Sequence, residues 1–145
     1  MFKHLLLPTD GSAASESAIR QSIQFAKATS ARITGVHVIP EYHVFSRQLL
    51  TLAETKEQFD QQGVAQAVKL LEEIEKAAQA AGVECYTRYV VSNHPYEAII
   101  QVAEENDCDM ITMASHGRKG VRGIFAAGET QKVLTHSKKP VLVFR

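Results

Sequence analysis

The chain has 145 residues, 45% of them apolar, with sixteen Lys and Arg balanced by sixteen Asp and Glu. That size suits one globular domain over residues 1–145, burying about two thirds of the surface its unfolded form exposes. A net charge near zero gives no general drive toward nucleic acid or an anionic membrane, so neither is an expected partner and any anion recognition has to be local.

The apolar run from Phe2 to Leu7 is too short for a signal peptide or a membrane span, and the cytoplasm is the expected location. It reads as a strand that stops at Pro8-Thr9-Asp10-Gly11, after which Ser12 precedes Ala18, Ile19, Ile23 and Ala26 on one helical face. Asp10 is placed either to cap that helix or to turn toward a ribose or a base. Residues 31–39 (ARITGVHVI) alternate and are rich in β-branched side chains, a second strand ended by Pro40.

Residues 41–55 are irregular. Phe59, Val64, Val68, Leu71, Ile74 and Ala78 then recur at helical spacing until Gly82 closes a long helix. Residues 84–91 (ECYTRYVV) form a third strand, and Ser92-Asn93-His94-Pro95 reads as a cap with proline in the first turn of a helix carrying Ile99, Val102 and Ala103. Residues 108–113 (CDMITM) make a fourth strand that runs into a glycine-rich stretch. The helix after it begins near Ala127, with Val133 and Leu134 on its buried face, and residues 140–144 (PVLVF) form the last strand.

Strands alternating with helices predict a single-domain α/β fold: a five-stranded, parallel, doubly wound, Rossmann-like sheet with helices on both faces. Ligands of such sheets sit beyond the carboxyl ends of the strands, where strand order reverses. In the common order 3-2-1-4-5, strand one lies beside strand four. The turn at residues 8–11 then faces the loop at residues 114–123.

That loop carries Gly117, Gly120 and Gly123 among Arg118, Lys119 and Arg122. Glycine lets successive backbone N–H groups turn inward around a phosphate, and the cations and the following helix dipole add matching charge. A solvated surface loop remains the alternative from spacing alone. His116 has no nucleophile or paired carboxylates that can be placed beside it, so its expected part is a hydrogen bond to phosphate or to water. Cys85 and Cys108 are far apart, and the six histidines have no ligand spacing, so neither a disulfide nor a metal is expected.

Four stretches together carry a resemblance: LLLPTDGS, VHVIPE, SNHPYEAI and SHGRKG…ETQKVLTHSKKPVLVFR. End to end the chain resembles the universal stress protein family. The resemblance implies ATP or another adenine nucleotide bound without known turnover, and a homodimer joined through the last strand, Pro140, Val141, Leu142, Val143 and Phe144. Members that bind ATP carry G-x2-G-x9-G-[ST]; the matching residues here are Ala114, Gly117, Ala127 and Gly128. By position, Pro8, Thr9, Asp10 and the backbone of Val38 border adenine and ribose. Ala114, Ser115, His116, Gly117, Arg118, Lys119 and Gly120, with Ala127, Gly128, Glu129 and Thr130, surround the phosphates. Asn93 stands where the family usually has glycine near the base.

The leading expectation is therefore a small stress-response protein that binds an adenine nucleotide and is not an enzyme, with slow ATP hydrolysis left open. The alternative is a nucleotide-free dimer of the same fold that works through protein partners. No Walker-type lysine loop or positioned base supports a phosphoryl-transfer enzyme.

Overall fold

The computed structural model describes residues 1–42, 55–115 and 128–145. Strand β1 (His4–Pro8) is buried along its whole length. Leu6 joins an apolar cluster on one face of the sheet, while Leu5 and Leu7 join another on the opposite face. A strand covered on both sides has no solvated face, which is why LLL is a continuous apolar run rather than an alternating one.

Helix α1 (Ala13–Thr29) starts at Ser12, whose Oγ accepts the N–H of Ser15 at 3.1 Å. Strand β2 (Arg32–Ile39) follows. Helix α2 (Lys56–Ala81) opens with a reciprocal cap between Thr55 and Gln58 and stops at Gly82, which takes the left-handed conformation and donates to the carbonyls of Ala78 and Gln79. In the first third of α2, a Cβ at Gly63 would come within 2.7 Å of Ile39 Cγ2. Absence of a side chain there lets the helix close onto the end of β2.

Strand β3 (Cys85–Val91), helix α3 (Pro95–Glu105), strand β4 (Met110–Ala114), helix α4 (Glu129–His136) and strand β5 (Val141–Phe144) complete the described elements. All strands are parallel, in the order β3-β2-β1-β4-β5. Helices α1 and α2 cover the face that holds Leu5, Leu7 and Ile33, and α3, with Val133 of α4, covers the face that holds Leu6, Val36 and Val38.

Two side chains depart from the sequence reading. Val68 is 42% exposed and Leu134 44% exposed. In α2 the buried stripe runs through Ala67, Leu71, Ile74 and Ala78, and in α4 through Glu129, Thr130 and Val133. Val68 and Leu134 each follow a stripe residue by one position, about 100° around the helix and so off the packed face.

Candidate functional site

Strand β1 stays laddered to β2 to its end: Pro8 is level with Val36, and Thr9 N–H donates to the Val36 carbonyl at 2.9 Å. Its ladder with β4 joins only Leu5 to Met110 and Leu6 to Ile111. Beyond Leu6 the two strands share no further ladder pairs, and the register carried forward would set Thr9 level with Ala114. This is the point where strand order reverses, and the carboxyl ends of β1 and β4 border it.

The turn after β1 is held at nearly every polar atom. The Thr9 carbonyl accepts from His37 Nδ1 at 2.8 Å, and Thr9 Oγ1 accepts from Ser15 Oγ at 3.0 Å and from the Gly11 N–H at 3.3 Å. Asp10 N–H donates to Ser15 Oγ, and Asp10 Oδ1 accepts the Ser12 N–H at 2.9 Å. Gly11 takes φ +79, and a Cβ there would lie 3.0 Å from Leu70 Cδ2. The cap residue is Ser12 and not Asp10, which braces the cap with one carboxylate oxygen; its Oδ2 has no hydrogen-bond partner among the described residues.

At the end of β4, Ala114 is buried and its carbonyl accepts from Thr130 Oγ1 at 2.9 Å, while Ser115 N–H donates to the Phe144 carbonyl. The amino end of α4 is thus tied to the end of β4. Gly128 precedes α4 at φ +86 and supplies no side-chain cap. Glu129 is only 8% exposed. Its Oε2 accepts the Tyr96 N–H at 3.0 Å, and Lys132 Nζ lies 3.2 Å from Oε1. Its carboxylate therefore serves the amino end of α3, where the helix dipole favours negative charge.

Val38 points its side chain into the cluster under α3, so the backbone is what it can present. Pro8, Thr9, Asp10, Ala114, Ser115, Gly128, Glu129 and Thr130 are all placed on the two strand ends or at the start of α4. His116, Gly117, Arg118, Lys119, Gly120 and Ala127 lie outside the described residues. At the far edge, Pro140 and Phe144 direct their carbonyls to the N–H groups of Ile111 in β4 and of Ser115 just past its end. By alternation, the backbone groups of Val141 and Val143 face the open edge.

Two residues at this end were not singled out as polar anchors by the sequence reading. His37 is 8% exposed, and burial lowers its pKa below 6.5 against the opposing pull of the Thr9 hydrogen bond and the Asp10 charge. The available signal was one polar residue between Val36 and Val38. Asn93 clamps the ends of β2 and β3, its Oδ1 accepting the Glu41 N–H at 3.0 Å and its Nδ2 donating to Glu41 Oε2 at 3.1 Å. That clamp is what a side chain adds where the family usually has glycine. Among the described residues no group of His, Cys, Asp and Glu could hold a metal ion, and no helix is long and apolar enough to cross a membrane.

A model of the universal stress protein family matches residues 1–145. Universal stress protein MJ0577 of Methanocaldococcus jannaschii is 29% identical, over 100% of this chain and 96% of its own length. A solved structure of MJ0577 superposes with a TM-score of 0.80 at 28% identity, covering 99% of this chain and 95% of that one. Two more distant structures share the fold. The Archaeoglobus fulgidus universal stress protein in complex with dAMP has a TM-score of 0.69 at 18% identity, covering 100% and 98%. An Arabidopsis thaliana family protein with AMP bound has a TM-score of 0.67 at 16% identity, covering 98% and 90%.

Proposed function

The chain belongs to the universal stress protein family, and we propose that it binds an adenine nucleotide between the carboxyl ends of β1 and β4 without catalysing a dedicated reaction. The observation that carries this reading is the end of the β1–β4 ladder at Leu6, bordered by the braced Thr9–Asp10 turn. Asp10 Oδ2 suits a ribose hydroxyl, since an ionised carboxylate only accepts. Pro8, Thr9 and the Val38 backbone border the adenosine in this reading. Phosphate falls to residues 114–120, to Ala127 and to the backbone N–H groups from Gly128 to Thr130. The dAMP and AMP complexes of the two distant family structures support the ligand class.

Ala114 and Ala127 each add a methyl where ATP-binding members have glycine, and Gly128 offers no hydroxyl. These three departures bear on phosphate contacts, so AMP, with a single phosphate, is the first probe and ATP the second. They also favour the second reading, a nucleotide-free dimer working through protein partners. In either case the protein is expected to pair through β5, the open edge strand.

Mass spectrometry of small molecules released from freshly purified, denatured protein tests the proposal, together with calorimetric titration of AMP and ATP. A stoichiometric adenine nucleotide, or saturable heat with either ligand, supports it. No retained nucleotide and no heat from either refutes it in favour of the nucleotide-free module.

A further inference from the structure

His37 sits on β2 with Gly35 and Ile39 on the face that meets α2. Gly35 meets Leu71 and Ile74, and Ile39 meets Gly63, so the α2 residues level with His37 on the packed face are Ala67 and Leu70. Both are apolar. Its register neighbour on β3 is Tyr89, and Asp10 is the charged group that bears on it. An imidazole in such a setting has to earn its burial with a hydrogen bond.

That bond goes to the Thr9 carbonyl, 2.8 Å from Nδ1. A carbonyl only accepts, so Nδ1 carries the proton and the neutral ring is the Nδ1–H tautomer. The Thr9 N–H is meanwhile held by Val36, the residue next to His37 on the same strand. Strand β2 therefore holds both polar groups of the Thr9 backbone. The peptide plane between Thr9 and Asp10 is set by its carbonyl, and the Asp10 N–H at its other end points to Ser15 Oγ.

We infer that His37 is a positioning residue for the nucleotide site: by donating from Nδ1 to the Thr9 carbonyl it orients the Thr9–Asp10 peptide, and so aims Asp10 Oδ2 at the ligand's ribose. The inference rests on the nucleotide-binding reading for its functional half. Its structural half concerns the ligand-free protein alone. Burial outweighs the Asp10 charge and favours the neutral ring, the form that keeps this single donor fixed.

The test compares His37→Leu with His37→Asn. Leucine fills the space but has no donor. Asparagine Nδ2 is bonded to Cγ, as histidine Nδ1 is, and can donate to the same carbonyl. In ligand-free protein, the ¹H–¹⁵N signals of Asp10 and Gly11 should move in the leucine variant and return toward wild-type positions in the asparagine variant. AMP affinity should fall about tenfold with leucine, the effect of losing about one hydrogen bond, and recover with asparagine.

If the leucine variant leaves the Asp10 and Gly11 signals in place, the inference is overturned whatever AMP does. If the signals move and AMP affinity does not, the turn does not orient the ligand, and the inference is equally overturned. Should wild-type protein bind no AMP, the nucleotide reading fails, while the amide signals still decide whether His37 sets the turn. If the leucine variant does not fold, ring ¹⁵N shifts of His37 in the wild-type protein and the amide signals of the asparagine variant carry the decision: a His37 ring protonated at Nε2 with a bare Nδ1, or Asp10 and Gly11 signals displaced in a folded asparagine variant, overturns the inference.

Discussion

Gly128 is the residue whose replacement tests the site most directly. ATP-binding members have a hydroxyl at the matching position, and a serine at a helix start is ordinarily a good cap. Here the backbone is at φ +86 and ψ −5, in the left-handed region, whereas a serine cap works from the extended region. A Cβ at Gly128 meets nothing within 4 Å, so substitution costs conformational strain and no clash. The strain is about 1–2 kcal/mol. For a chain of this size that lowers the unfolding temperature by about 3–8 °C. Gly128→Ser and Gly128→Ala should lose stability alike, because both add the same Cβ.

Affinity separates them. Strain present with and without ligand cancels from binding, whereas a hydroxyl donating to a charged phosphate contributes about 1.5–3 kcal/mol. Calorimetry should therefore find ATP bound about 10- to 100-fold more tightly by the serine variant than by the alanine variant. Thermal unfolding of the same samples reads the strain. Equal ATP affinities in the two variants would place residue 128 out of reach of phosphate, and an alanine variant as stable as wild type would refute the account of its backbone.

Val141→Pro or Val143→Pro removes a donor that faces the open edge of β5 and leaves the bonds of Pro140 and Phe144 to β4; sedimentation should find monomer, and a persistent dimer would put the interface elsewhere. Arg118→Ala with Lys119→Ala should weaken nucleotide binding and flatten its salt dependence, checked by titration at two ionic strengths, if these side chains meet phosphate. Glu129→Gln keeps an oxygen for the Tyr96 N–H but removes a negative charge near the start of α4; stability should fall by about 1 kcal/mol and ATP affinity should rise a few-fold by calorimetry. The pKa values of His4 and His37 are both lowered, mainly by burial, so their contribution to stability is fully present above pH 6.5 and is lost as pH falls through the folded values. Urea midpoints should decline from pH 7 to pH 5, and the slope should shrink when both are replaced by asparagine.

Much of this molecule was legible along the chain because its signals are local. LLL bounded by Pro8, the left-handed stop at Gly82, the proline in the first turn of α3 and the alternation of strand and helix each depend on a few neighbouring residues. The parallel sheet in the order 3-2-1-4-5 and the meeting of the two strand ends follow from that alternation and the right-handed crossover. Helical periodicity is coarser. Where two apolar residues are adjacent, as at Ala67-Val68 and Val133-Leu134, composition does not say which one faces the sheet, and packing chose the first of each pair.

The polar contacts of the site were decided only in three dimensions. His37 reaches Thr9 across 28 positions, Glu129 reaches Tyr96 across 33, and Asn93 reaches Glu41 across 52. Strand register and helix placement bring each pair within hydrogen-bond distance, and neither is written in the residues at either end. Gly128 makes the same point from the backbone: its sequence position offers a serine-like cap site, but it enters α4 at positive φ, where glycine is the residue that fits without strain.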